Sequence, residues 1–202
     1  MLKASQENLR AAAKIVQKGG LIVYPTETVY GLGCDPFNCD AVERLTRVKG
    51  RRDKALPILA HNIVEVERVA ELSDDARKFS ERFWPGPLTL VLPKKALPDV
   101  VTSGLKTVGI RIPDHNVALE LVRLCGGLLV GSSANKSGSI PPCSAVDAYH
   151  QLGDVVDMVL DGGSVEFGVS STVVDLSGDV PRLLRRGAIG FNCILQFWNT
   201  DL

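Results

Sequence analysis

Residues 44–60 read RLTRVKGRRDKALPILA, and this stretch joins an amphipathic helix to an apolar strand through a basic run. Lys49 and Arg51 within it are two positions apart, so they share a face only where the backbone is extended. Gly50 between them allows the backbone to leave the helix. An ammonium and a planar guanidinium would then reach one space, which suits several phosphate oxygens. The alternative is a solvated run that complements the dipole at a helix C-terminus.

Helical and strand patterns alternate on both sides of this stretch. Residues that can cap a helix stand at Ser5, Asp40, Asn62, Ser73, Asp114 and Ser144. Apolar strand patterns cover residues 21–24, 56–60, 88–92, 108–112, 128–130, 155–160, 172–174 and 182–184. This alternation predicts an α/β fold with a twisted, mixed or largely parallel open sheet and helices on its faces. We expect one domain over residues 1–190 and a C-terminal tail over 191–202, with a short helix packed on the domain.

The composition limits the classes of partner. The 202 residues include 23 Lys and Arg and 23 Asp and Glu, so no overall charge draws the chain to nucleic acid or to a membrane. No signal-peptide core and no apolar run of about 20 residues is visible, and we therefore expect a cytoplasmic protein without membrane contact. The five cysteines form no Cys-x-x-Cys pair and show no zinc spacing, so no metal ligand is predicted.

Four polar or cationic loops follow the predicted strands, at residues 26–33, 49–54, 132–138 and 185–187. In open α/β sheets, ligands bind beyond the carboxyl ends of the strands, where such loops converge. Together the loops supply cations for phosphate, hydroxyls and amides for orientation, and glycines for close backbone approach. The sequence therefore predicts one binding pocket built from separate segments.

Three familiar site patterns do not fit. Residues 31–36 lack the third glycine of the dinucleotide fingerprint, and residues 131–137 lack the glycine before the lysine of a Walker A loop. A nucleophile elbow around Ser133 would need glycine where Asn135 stands. Ser133 and Asn135 could equally be turn formers. Arg111 lies inside an apolar strand and needs an anionic partner, which is either an internal acidic side chain or a ligand carboxylate.

The ordered motifs resemble those of the YrdC-like domain family, the threonylcarbamoyl-AMP synthases. Seven of them occur in the family's order over about residues 15 to 190, and the Lys-x-Arg and Ser-x-Asn pairs are the family's hallmark. They are YPTETVYGLG at 24–33, KGR at 49–51, WPGPLT at 84–89, VGIRIP at 108–113, SANKSG at 133–138, STVVD at 171–175 and LRRG at 184–187.

The resemblance implies a sheet curved around a positively charged concave cavity. It also implies a nucleotidyltransferase reaction, in which L-threonine, bicarbonate and ATP give threonylcarbamoyl-adenylate and pyrophosphate. A downstream tRNA threonylcarbamoyl-transfer machinery would use that product for tRNA modification. Whether tRNA contacts this chain is left open.

The resemblance also implies roles for individual residues. Catalytic roles fall on Lys49, Arg51, Ser133 and Asn135. Contacts to ATP, with Mg²⁺ sharing its charge, fall on Lys49, Arg51, Lys54, Thr107, Asn135, Cys143 and Arg185. Contacts to threonine fall on Thr28, Arg111, Ser133 and Ser171, with Arg111 at its carboxylate. The sequence departs from the family's pattern around Lys54, where the spacer is one residue short, and around Cys143, where Pro-Pro-Cys replaces Ser-Pro-Thr.

Two other functions fit parts of the pattern. A non-catalytic protein could bind structured RNA in the same basic cavity, although the neutral net charge weighs against this. A relative with the same fold could handle a carbamoyl group instead of threonine.

Overall fold

A computed structural model describes residues 1–50 and 54–200 of the chain, and an α/β fold is confirmed within them. The helices are α1 (Gln6–Gln17), α2 (Cys39–Lys49), α3 (Ile63–Val69), α4 (Asp74–Phe83), α5 (Asp99–Thr102), α6 (Asn116–Leu124), α7 (Ala145–Leu152) and α8 (Phe191–Thr200). The strands are β1 (Leu2–Lys3), β2 (Ile22–Tyr24), β3 (Gly31–Gly33), β4 (Ile58–Ala60), β5 (Leu88–Pro93), β6 (Thr107–Arg111), β7 (Leu128–Val130), β8 (Ser132–Ser133), β9 (Met158–Asp161), β10 (Thr172–Asp175) and β11 (Arg182–Arg185).

Backbone hydrogen bonds group these strands into two mixed sheets. One has the order β1-β9-β2-β3-β8, and the other has the order β11-β10-β5-β6-β4-β7. The pairs β1–β9, β2–β9, β5–β10 and β4–β6 are parallel, and the other pairs are antiparallel. The mixed open sheet of the sequence prediction is therefore present as two sheets.

Residues 128–133 connect the two sheets. β7 pairs with β4 in the six-stranded sheet, and β8 pairs with β3 in the five-stranded sheet, with Gly131 between them. The amide of Gly131 donates to the carbonyl of Pro57 at 2.8 Å. A Cβ atom on Gly131 would lie 2.6 Å from Cγ of Leu59, so the close approach of the strands requires glycine here.

The central strands are buried on both faces, as their continuous apolar sequences predict, whereas β1 and β11 are largely exposed. Ile22 and Tyr24 of β2 pack under α1 and α6, whereas Val23 of the same strand points into the larger apolar core. The alternation follows from the two-residue period of a strand. Both faces of β2 are thus held by packing, which fixes the loop that leaves its end.

Several element boundaries differ from the sequence prediction. α2 begins after Asn38, whose side chain accepts from the amide of Ala41 at 3.0 Å, so Asp40 lies inside the helix. α6 is capped by His115 and not by Asp114. Residues 31–33, which the sequence predicts as loop, form β3 because the ring of Tyr24 packs where side chains on Gly31 and Gly33 would stand.

The C-terminal segment forms α8, which confirms the predicted short helix near the chain end. The ring centroid of its Phe197 lies 5.1 Å from that of Phe79 and 5.4 Å from that of Phe83, both on α4. The domain boundary at residue 190 stays a prediction. Across residues 1–50 and 54–200, the structure contains no helix long and apolar enough to cross a membrane.

Candidate functional site

Residues of both sheets line a cavity of about 230 Å³. Tyr24, Gly31 and Ser133 reach it from the five-stranded sheet. The six-stranded sheet contributes Leu59, Thr89, Val91, Gly109, Arg111, Val173 and Arg185. A concave space with apolar walls and a few convergent polar groups is typical of a small-molecule site.

The register of the six-stranded sheet explains how its lining residues come together. Val91 of β5 lies opposite Gly109 of β6, and Leu59 of β4 lies beside Arg111 of β6. Gly109 and Arg111 are two positions apart on one strand, so they face the same side of the sheet. Gly109 adds no side chain to that face and leaves the space next to Arg111 open.

Arg111 forms an ion pair within the protein and also lines the cavity. Its Nη1 donates to Oε1 of Glu27, and the two side chains are only 7 % and 1 % exposed. The internal acidic partner that the sequence left open therefore exists. A bound carboxylate as a second partner of Arg111 stays a prediction.

Lys49, Ser133 and Asn135 form a second polar cluster. Lys49 is the last residue of α2, and Gly50 ends that helix with a φ of 66°. The Lys49 Nζ donates to the carbonyl oxygen of Ser133, and it lies 3.4 Å from the Ser133 hydroxyl and 3.5 Å from Oδ1 of Asn135. The structure thus brings together three of the four residues predicted to be catalytic. The fourth, Arg51, lies outside the described residues.

The side chain of Asn135 also stabilises the loop that carries it. The Asn135 Nδ2 donates to the carbonyl oxygens of Lys136 at 2.8 Å and Ser139 at 2.7 Å. The amide of Ser137 donates to the carbonyl oxygen of Lys49 at 3.0 Å. The end of α2 and the 132–138 loop are therefore tied by main-chain and side-chain bonds, which holds Ser133 in place.

Ser171 and Arg185 meet on the side of the cavity formed by β5, β10 and β11. The Arg185 Nη2 donates to the carbonyl oxygen of Ser171 at 2.8 Å and to its hydroxyl at 3.0 Å. The hydroxyls of Ser171 and Thr89 are 2.8 Å apart. Thr89 is buried, lines the cavity and was missed from the sequence, although it is the last residue of the WPGPLT motif.

Thr28 lies on the loop between β2 and β3. Its hydroxyl is 2.9 Å from that of Thr26, which donates to the carbonyl oxygen of Val29 at 2.6 Å. Thr26 and Thr28 are both buried and both line the cavity. The turn is therefore held by its own hydroxyls, with Glu27 between them.

The predicted site residues fall into two groups. Those that line the cavity are Thr28, Arg111, Ser133, Ser171 and Arg185, and Lys49 and Asn135 each contact Ser133. Lys54, Thr107 and Cys143 do not line it in the described part of the chain. Thr107 nevertheless shares a face of β6 with Gly109 and Arg111. The assignments of all these residues, like the positive charge of the cavity, stay predictions.

Two titratable side chains near Arg111 have shifted pKa values. Burial raises the pKa of Tyr24, whose hydroxyl donates to the carbonyl oxygen of Val130 at 3.0 Å, so Tyr24 stays a neutral donor. Burial lowers the pKa of His115, and the charge of Arg111 adds to this, whereas Glu27 and Asp114 oppose it. His115 is therefore neutral at neutral pH.

The described residues contain no group of three His, Cys, Asp or Glu side chains that could hold a metal ion. Mg²⁺ is held mainly by carboxylates, water and substrate phosphates. The protein residues in view do not form a magnesium site of their own.

Comparison with known proteins assigns the chain to a family. The family model Sua5_yciO_yrdC, described as "Telomere recombination", matches residues 14–187. The chain belongs to the Sua5/YciO/YrdC family. The resemblance found in the sequence motifs is thereby confirmed.

Two curated relatives of the chain share one enzyme name. A protein of Pyrococcus abyssi (strain GE5 / Orsay), named threonylcarbamoyl-AMP synthase, is 42% identical over 184 residues, covering 90% of this chain and 54% of that protein. A protein of the same name from Bacillus subtilis (strain 168) is 40% identical over 194 residues, covering 93% and 56%. The chain thus spans little more than half the length of these relatives.

A solved structure matches the whole fold. The crystal structure of P. abyssi Sua5 complexed with L-threonine has a TM-score of 0.93 and 40% identity, covering 96% of this chain and 58% of that one. The two-sheet architecture around the cavity is therefore that of a Sua5 domain.

Proposed function

We propose that the chain is an L-threonylcarbamoyladenylate synthase, an enzyme that converts L-threonine, bicarbonate and ATP to threonylcarbamoyl-AMP and pyrophosphate. The observation that carries the proposal is the match of the cavity-bearing fold to a Sua5 structure that holds L-threonine. The name of relatives that are 40% to 42% identical supports it.

The reaction has two chemical steps. The amine of threonine and bicarbonate first form a carbamate with loss of water. A carbamate oxygen then attacks the α-phosphorus of ATP, and pyrophosphate leaves. The nucleophile and the triphosphate are both anionic, so the enzyme must offset their charges and hold them in line.

We assign the threonine side of this reaction to Thr28, Arg111, Ser133 and Ser171. All four line the cavity, which has room for a ligand of amino-acid size. Arg111 is the residue best placed for the carboxylate, because its planar guanidinium can bind one with paired N–H donors. The hydroxyls of Thr28 and Ser171 would orient the rest of the amino acid.

We assign the nucleotide side to Lys49, Arg51, Asn135 and Arg185. Lys49 and Asn135 meet at Ser133, at the junction between the amino-acid cavity and the 132–138 loop. Threonine and ATP together are larger than the cavity of about 230 Å³, so the triphosphate would extend beyond it, where Lys54, Thr107 and Cys143 are further candidate contacts. Mg²⁺ would arrive bound to the phosphates of ATP.

The product is a reactive mixed anhydride, and we infer that a tRNA threonylcarbamoyl-transfer machinery consumes it. The threonylcarbamoyl group would then reach an adenosine of tRNA. This step requires partners that lie outside the chain.

The proposal is tested by measuring pyrophosphate release from ATP with threonine, bicarbonate and the enzyme each omitted in turn. We expect release only with the complete mixture. Release that does not depend on threonine would reject threonine as the substrate and favour a carbamoyl-handling enzyme. RNA binding that collapses steeply with salt, without any ATP turnover, would favour the RNA-binding alternative.

A further inference from the structure

Glu27 is a buried carboxylate to which no substrate contact has been assigned. Its side chain is 1 % exposed, and Oε1 accepts from Arg111. The second oxygen, Oε2, is also buried and has no hydrogen-bond partner among the residues that the structure describes. A buried carboxylate with half of its acceptor capacity unused depends strongly on its one cationic partner.

We propose that Glu27 is a positioning residue that orients the guanidinium of Arg111 for a ligand carboxylate. The proposal rests on the proposed function, in which Arg111 binds the carboxylate of threonine. Glu27 acts through Arg111 and does not contact the ligand, because Arg111 lines the cavity and Glu27 does not.

The loop that carries Glu27 is built to hold this carboxylate still. The flanking hydroxyls of Thr26 and Thr28 are 2.9 Å apart, and Thr26 closes the turn onto Val29. The main-chain oxygen of Glu27 accepts from the amide of Phe167 at 2.9 Å. A fixed carboxylate on one side of Arg111 limits the rotation of the guanidinium, which keeps the other N–H donors in one plane.

The ion pair also makes Arg111 compatible with burial before a ligand arrives. A guanidinium in an apolar strand is costly without a counter-charge. With Glu27 present, Arg111 can remain buried in the empty cavity and still offer N–H donors to a second anion, since guanidinium carries five. Arg111 therefore needs no rearrangement when a carboxylate binds.

The first test is the variant Glu27→Gln, which keeps the shape and an acceptor oxygen but removes the charge. The bond from Arg111 to a neutral glutamine at position 27 should be about half as strong as its charge-assisted bond to Glu27, so the guanidinium is held less firmly. We therefore expect the KM for L-threonine to rise about tenfold or more. The KM for ATP should stay within about twofold. The matched control is Glu120→Gln, which removes the same charge from the exposed pair of Glu120 with Arg123 and should change neither constant.

A second readout reports on the charge of Glu27 without any turnover. Burial lowers the pKa of His115, and the charge of Arg111 lowers it further. The negative charges of Glu27 and Asp114 partly oppose this and raise the pKa. In Glu27→Gln, the pKa of His115, followed by NMR, should fall further. The resonance among the three histidines is assigned with His115→Asn.

The outcomes separate the two proposals. A folded Glu27→Gln protein with the wild-type KM for threonine would overturn the role of Glu27 and leave the proposed function intact. A wild-type protein that neither binds threonine nor depends on it would overturn both. If Glu27→Gln does not fold, Glu27→Asp decides, because it retains the charge at a shorter reach. Glu27→Asp should raise the KM for threonine and leave the KM for ATP unchanged. Equal changes in the two KM values would contradict the proposal.

Discussion

Lys49 is 2 % exposed, which is unusual for a lysine and indicates a specific role for its charge. It ends α2 and donates into the 132–138 loop, so one ammonium connects two segments 84 residues apart. If this ammonium also neutralises phosphate oxygens during the reaction, removing it should lower turnover strongly while the protein still folds.

We predict that Lys49→Ala lowers the rate of pyrophosphate release by about 100-fold or more. Arg51→Ala should have a similar effect if it shares the phosphate site. Lys14→Ala, which removes an exposed lysine of α1, is the control and should keep the wild-type rate. Near-normal turnover of a folded Lys49→Ala protein would remove Lys49 from the active site.

A second prediction at the scale of one residue concerns His115 and the pH dependence of stability. Burial lowers its pKa below the ordinary 6.5, so the fold favours the neutral ring. As the pH falls through 6.5, the unfolded chain takes up a proton that the native protein does not, and the free energy of unfolding decreases. His115→Asn retains a capping acceptor for the amide of Ala118 and should remove this part of the pH dependence.

The measurement is the urea midpoint of wild type and His115→Asn at pH 7.5 and at pH 5.5. We expect the wild-type midpoint to fall more than that of the variant over this interval. His150→Asn, at an exposed position of α7, should behave as wild type. Identical pH dependence in His115→Asn and wild type would show that His115 is not desolvated in the native protein.

At the scale of elements, most helices and strands were predictable because their apolar periods and caps are local signals. β3 was not, since glycine disfavours strands and the space beside its glycines is filled by residues of other strands, Tyr24 and, at Gly33, also Leu129 and Val130. The start of α2 was predicted wrongly at Asp40, because Asn38 two residues earlier is an equally good cap and accepts from the amide of Ala41.

Gly131 is the element-scale feature that the sequence did not indicate, and it carries a prediction. Gly131→Ala would place a Cβ atom 2.6 Å from Cγ of Leu59, so the Leu59 side chain or the backbone at residue 131 must shift. We expect the free energy of unfolding to decrease by about 1–3 kcal/mol, measured by urea denaturation. Gly178→Ala, whose Cβ would meet nothing within 4 Å, should change it by less than about 0.5 kcal/mol.

At the scale of the whole molecule, the candidate site is assembled from contacts between distant segments. The pairs Arg111 with Glu27 and Lys49 with Ser133 each join residues 84 positions apart. The sequence showed that Arg111 required an anion, but it could not identify Glu27, because partner choice depends on how β6 and the loop after β2 meet in space. The motif residues were predictable; their partners were not.

The equal numbers of acidic and basic residues give the molecule no net formal charge. If the chain binds ATP as proposed, the attraction must come from local cations and from the shape of the site. Lys49, Arg111 and Arg185 are the cations that we propose for this role, with Arg111 already paired to Glu27.

The most direct test of the account is a crystal structure of the chain with L-threonine and a non-hydrolysable ATP analogue. We predict the threonine carboxylate at hydrogen-bond distance from the Arg111 guanidinium, with Glu27 still bound to the other side of it. The triphosphate should lie along Lys49 and Arg185, with its α-phosphorus facing the threonine nitrogen. A structure in which threonine binds outside the cavity, or in which the triphosphate contacts neither cation, would contradict the account.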